Sequence, residues 1–177
     1  MAQFVRKRIV KDLIEEIVEI DAVSLEFVGH KVLEILEGTP LIQRGVNKDY
    51  KPVGYTLDTY SHDFKVVGEY STEEGYFVGV KAADDSIKFA KIEKDLTHVL
   101  AHCAGRVPER IYLVSSEEQP ASFRVKFNKT KLAEEFSEQI RFLSARDLAE
   151  HIFDASIGNS NHADFFSRVF SRFRAES

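Results

Sequence analysis

The stretch "IYLVSS" at residues 111–116 limits the folds open to this chain more than any other feature. Ile111, Tyr112, Leu113 and Val114 follow one another without a polar break, and the helix breakers of "GRVPER" precede them. Successive side chains of an extended strand point to opposite faces, so a continuous apolar run must be covered on both sides. The run therefore predicts a central strand with a packing layer above it and another below.

The flanking sequence can supply both layers. Ile9, Leu13, Ile14, Ile17, Val18 and Ile20 recur at helical spacing over residues 8–20. Leu25, Val28, Val32, Leu33, Ile35 and Leu36 do the same over 24–37, with Ser24 as the cap and Gly38 and Pro40 as the stop. A third helix over 86–103, capped from Asp84, Asp85 or Ser86, turns Phe89, Ile92, Leu96, Val99 and Leu100 inward. "LIQRGV" (41–46) predicts a short strand, and two alternating runs, 54–61 and 64–72, predict a hairpin around "HDFK". "EEGYFVGVKAADDS" reads as a loop and "QPASFRVKF" as an outer strand or extended loop. "KTKLAEEFSEQ" is a short helix, "IRFLSA" a strand, and "ARDLAEHIFDASI" a helix capped by Ser144. A last helix spans "NSNHADFFSRVFSRFRAES". Strands separated by helices give an α/β sandwich, a mixed sheet with helices on both faces. At 177 residues the chain suits a single domain, 1–177.

Composition excludes several classes. No apolar run approaches the ~20 residues that cross a bilayer, so no membrane role is expected. The charges within "MAQFVRKRIVKDLIEEIVEI" interrupt what a secretory signal would need. Cys103 is the only cysteine, which rules out an internal disulfide and a thiolate cluster and makes a cytoplasmic location the default. A formal charge of −5 argues against a dedicated nucleic-acid binder, although phosphate contact depends on where the positive charges lie. No Gly-rich phosphate loop or dinucleotide fingerprint is present.

The hairpin carries the chemistry. Asp58 sits in its first arm and Glu69 in its second, and acids are poorly suited to strands. Opposed or diagonal positions on one face lie within about 5–8 Å, so the two carboxylates repel unless something positive lies between them. Water, a basic side chain or a divalent cation would serve. Mg²⁺ or Mn²⁺ suits paired carboxylates because these ions take oxygen ligands and retain water. The plainer reading is a pair of edge acids facing solvent.

The run "GYTLDTYS…VVGEYSTEEGYF", followed by "KIEKDLTHVLAH" and "ERIYLVSS", resembles the PD-(D/E)xK nucleases over residues 24–116, and in particular nuclease-like domains of large bacterial defence proteins. The resemblance implies a restriction-endonuclease-like fold, a mixed β-sheet sandwiched between helices. It implies hydrolysis of DNA, rather than RNA, phosphodiester bonds by an anti-phage effector. It assigns Asp58, Glu69 and the Tyr70 carbonyl to Mg²⁺ (or Mn²⁺), with Glu26 assisting and Glu34 as the weaker choice. The family's lysine falls on Ser71, which carries no charge. Lys91, Lys94 or Lys88, or else Gln43 or Arg44, would have to substitute. Failing that, the domain is a catalytically inactive nuclease-like module mediating oligomerisation or nucleic-acid binding.

Lys91, Asp95, His98 and His102 form one helical stripe, read as a solvated or substrate-facing edge rather than a metal site. Arg6, Lys7, Arg8 and Lys11 at one end, and Arg168, Arg172 and Arg174 at the other, offer phosphate contacts or simply solvated faces. Phe165, Phe166, Phe170 and Phe173 put four aromatic rings within nine residues. They predict a C-terminal docking helix, 158–177, in which Phe166, Phe170 and Phe173 meet a second copy of the chain or a further domain.

Overall fold

The structure is a computed structural model that describes residues 2–43 and 57–174. In chain order the described elements begin with α1 (Ala2–Ile17), α2 (Ala22–Glu37), β1 (Ile42–Gln43), β2 (Thr59–Tyr60), β3 (Val66–Ser71), β4 (Val80–Lys81) and β5 (Ile87–Lys88). They continue with α3 (Ala90–Ala101), β6 (Arg110–Ser115), α4 (Phe123–Phe127), α5 (Lys131–Phe136), β7 (Ile140–Leu143), α6 (Ala145–Ser156) and α7 (Ser160–Val169).

The apolar run at 111–116 forms β6, and β3 and β7 pair with it in parallel on either side. β2 runs antiparallel to β3, and β1 antiparallel to β2. The result is a five-stranded mixed sheet in the order β1-β2-β3-β6-β7. Both sheet faces are covered, as the run requires. Val66, Tyr112, Val114 and Leu143 pack against α1, α2, α6 and α7. Val67, Ile111, Leu113 and Phe142 pack against α3, α4 and α5. The molecule is thus a mixed α/β protein in three layers.

Two glycines set the distance between α2 and β3. A Cβ on Gly68 would lie 2.4 Å from Leu33 Cδ1, and one on Gly29 would lie 2.3 Å from the Tyr70 ring. Any larger residue would push helix and strand apart, so the absence of a side chain is what allows the contact.

Several sequence expectations are corrected. α3 starts at Ala90 rather than 86, because Asp84 serves a turn instead of a helix cap. Ser86 donates its backbone N–H to Asp84 Oδ1 at 3.1 Å, and the turn closes the small β4–β5 hairpin. Asp21, not Ser24, caps α2, accepting the Ser24 N–H at 2.8 Å. The "QPASFRVKF" segment holds helix α4 rather than a strand. Phe123 and Phe127, one helical turn apart, both enter a buried ring cluster with Phe89 and Phe142. Positions 44–46 of the first expected strand and 54–56 of the hairpin lie outside the described residues.

The docking reading of the C-terminal helix is also overturned. Phe166, Phe170 and Phe173 are 0%, 2% and 1% exposed, and all three join the core that α1, α2 and α6 build. Glu16 ties the tail down, accepting hydrogen bonds from the backbone N–H and hydroxyl of Ser171. Those three rings are therefore spent inside the chain and offer nothing to a partner. One basic residue near each end is engaged as well. Arg6 pairs with Asp154, and Arg172 with Glu15 and Asp12. Among the described residues, no helix is long and apolar enough to cross a membrane.

Candidate functional site

The register of β2 on β3 sets Thr59 opposite Gly68 and Tyr60 opposite Val67. Continuing one residue places Asp58 opposite Glu69. Asp58 lies in the bend just before β2 rather than in mid-strand, whereas Glu69 is inside β3. The pair is clamped reciprocally by the backbone. The Asp58 N–H donates to Glu69 Oε2 at 3.3 Å, and the Tyr70 N–H donates to Asp58 Oδ2 at 3.3 Å. Glu69 is only 5% exposed.

Burial pushes the Glu69 carboxyl far above the usual carboxylate range, and the hydrogen bond and charge of the adjacent Asp58 side chain push it further. Asp95, on α3, is raised to about 6, mainly by burial, while a hydrogen bond from the Tyr76 hydroxyl at 2.9 Å works in the opposite direction. Asp58 and Glu73 add to the negative field at Asp95. The Cys103 thiol, fully buried, is pushed up to about 11 by burial and by Glu69. Asp58, Glu69 and Asp95 therefore share one side of the sheet, where the charges of Asp58 and Asp95 act on Glu69 and that of Asp58 acts on Asp95.

Among the described residues, His98 is a basic group that reaches Glu69. Its Nε2 stands 3.2 Å from Glu69 Oε1. The His102 ring lies 4.4 Å from the His98 ring, and its Nδ1 is 2.8 Å from the His98 carbonyl. Of the lysines offered by the sequence, Lys94 acts on Asp95 through its charge. Lys94 pairs with Glu73 at 3.4 Å, and the Lys91 ammonium lies over Gly75. Lys88 sits on β5, Gln43 is exposed on β1, and Arg44 is outside the described residues. Ser71 follows Glu69 on the same face, and its Oγ accepts the Glu73 N–H at 3.2 Å.

Tyr70 turns its side chain to the other face, under Gly29, where its hydroxyl lies 2.6 Å from Thr59 Oγ1. Thr59 in turn meets His30 Nδ1 at 3.0 Å, and His30 meets Glu34 at 3.5 Å. Glu34 also accepts the Leu41 N–H at 2.8 Å, which gives it a structural task. Glu26 projects its charge on Tyr70 from this α2 side. The fold thus brings Asp58 and Glu69 together, and adds Asp95 and His98 to them.

Asp58 and Glu69 are the residues that could hold a hard divalent cation. A cation there would have to displace the proton that Glu69 holds. Water would have to complete the shell, as Mg²⁺ tolerates well. Among the described residues no group of three or more His, Cys, Asp or Glu side chains is arranged to hold a metal ion.

Comparison with known proteins adds no relative: no family model matches the chain, and no match was found among curated proteins or solved structures.

Proposed function

We propose that the chain is a metal-dependent nuclease of restriction-endonuclease-like fold, hydrolysing DNA phosphodiester bonds at the Asp58–Glu69 pair. The observation that carries this reading is the reciprocal clamp that holds the two carboxyl groups side by side on a rigid sheet. The order of elements from α2 to β6 also supports it. A helix precedes two antiparallel strands carrying the acids, and a helix and a parallel strand follow.

Bound at this pair, Mg²⁺ or Mn²⁺ would supply an acidified water and a counter-charge to the phosphate oxygens. Asp58 and Glu69 would hold the ion, with Glu69 giving up its proton to solvent. The backbone N–H groups of Asp58 and Tyr70 fix both carboxylates in place. His98 orients Glu69 from α3, and Ser71 offers a hydroxyl on the same face. The resemblance adds the Tyr70 carbonyl as a further oxygen ligand, Glu26 as an assisting acid and Lys91 as a positive group. DNA as substrate and anti-phage defence as setting rest on the resemblance alone.

Supercoiled plasmid incubated with Mn²⁺ tests the proposal. Nicking by the parent chain that disappears in Glu69→Ala is the expected result. One observation favours a second reading, a module that does not cut. The position of the family lysine is Ser71, and its hydroxyl is engaged by the Glu73 backbone. Mn²⁺ binding with every DNA and RNA left intact would decide for that module.

A further inference from the structure

Away from the acid pair, the β4–β5 hairpin and the α4–α5 segment enclose a cleft of about 520 Å³. That lies within the range of roughly 300–1,000 Å³ typical of small-molecule sites. Its walls differ sharply in character. Ile87 and Leu132 line it with apolar surface over the buried Phe89 ring. Lys88 enters from β5, and Lys126, Lys129 and Lys131 enter from the opposite side.

The cleft gathers positive charge in a chain whose net charge is −5. Elsewhere Arg6, Arg110, Arg146 and Arg172 are held in ion pairs, as are Lys65, Lys81 and Lys94. The four cleft lysines make no ion pair among the described residues. Three acids also line the cleft, and the charge of Asp84 acts on Lys88. Asp84 folds onto Ser86, accepting its backbone N–H and hydroxyl, and Asp85 pairs with Lys81 at 3.6 Å. Glu93, in the first turn of α3, is the third. Four ammonium groups around one concavity repel one another and attract an anion, and lysine binds phosphate as a point charge.

We propose that this cleft binds a nucleotide, its phosphates held by Lys126, Lys129, Lys131 and Lys88 and its base lying against Ile87 and Leu132. Glu93 supplies the acceptor that a ribose hydroxyl or a base amine needs. The same chemistry is presented by a free nucleotide and by the terminal nucleotide of a strand. The proposal is independent of the nuclease reading, because the cleft shares no residue with the acid pair.

Two probes at about 50 mM salt separate the sources: MANT-labelled ATP followed by fluorescence, and a fluorescein-labelled single-stranded oligonucleotide followed by anisotropy. Saturable binding of at least one probe is expected. It should weaken about ten-fold or more in the triple variant Lys126→Ala, Lys129→Ala, Lys131→Ala, whose surface changes leave the core untouched. Tighter binding of MANT-ATP assigns a free nucleotide, and tighter binding of the oligonucleotide assigns a strand end. Absence of binding by both probes, or equal binding by parent and triple variant, overturns the proposal. Either result leaves the plasmid assay at Asp58 and Glu69 unaffected.

Discussion

β3 presents two faces with opposite electrostatic characters. Toward α2, Tyr70, Thr59, His30 and Glu34 form a chain in which each polar group meets the next. Toward α3, Asp58, Glu69 and Asp95 crowd together, and Glu69 is driven to keep its proton. Strands β2 and β3 and the bend before β2 supply both arrangements, so backbone geometry is not the difference. One face has matched donors with acceptors, which is what a stable interior demands. The other gathers carboxyl groups that act on one another, a pattern characteristic of functional sites.

Substitutions can break this contrast. The largest effect is expected beneath the α2 face. Phe166→Ala should cost about 3–5 kcal/mol in chemical denaturation, as for other buried phenylalanines. A variant as stable as the parent would return this ring to the surface. Tyr70→Phe should cost about 1–3 kcal/mol by removing the hydroxyl that Thr59 meets. On the α3 face the sign reverses. Glu69→Gln keeps the shape and is neutral without the proton that folding forces on Glu69, so at pH 8 it should raise Tm by about 2–6 °C. A lowered Tm there would mean that the acids are satisfied after all.

Titration sharpens the same point with a smaller effect. The folded-state pKa of Glu69 lies above its unfolded value of 4.5, so the native chain binds more protons than the unfolded chain between the two. The contribution of Glu69 is complete below the unfolded value and is lost as pH rises toward the folded one. Asp95 acts the same way in a narrower window, between 3.8 and about 6. Unfolding free energy measured from about pH 5 to 8 should fall across the range in the parent and stay flatter in Glu69→Gln.

How much of this was legible in the sequence follows from the range of each interaction. β6 announced itself because an apolar run without alternation has one structural solution, and the helices did so through their period. Asp58 and Glu69 were legible because a hairpin converts a sequence separation into a distance. α4 was missed although Phe123 and Phe127 are one turn apart, since only Phe89 and Phe142, distant in sequence, make that turn worth forming. His98 was placed on the right helical stripe but not beside Glu69, because the packing of α3 on β3 decides that contact. The C-terminal phenylalanines looked like a docking stripe because sequence alone does not show that α1, α2 and α6 already cover them.

The most direct test of the Asp58–Glu69 seat is a Mn²⁺ titration followed by the electron paramagnetic resonance signal of free ion. The account predicts that the parent chain removes one Mn²⁺ per molecule from solution and that Glu69→Gln removes none. Equal free-ion signals with parent chain, variant and buffer alone would contradict it.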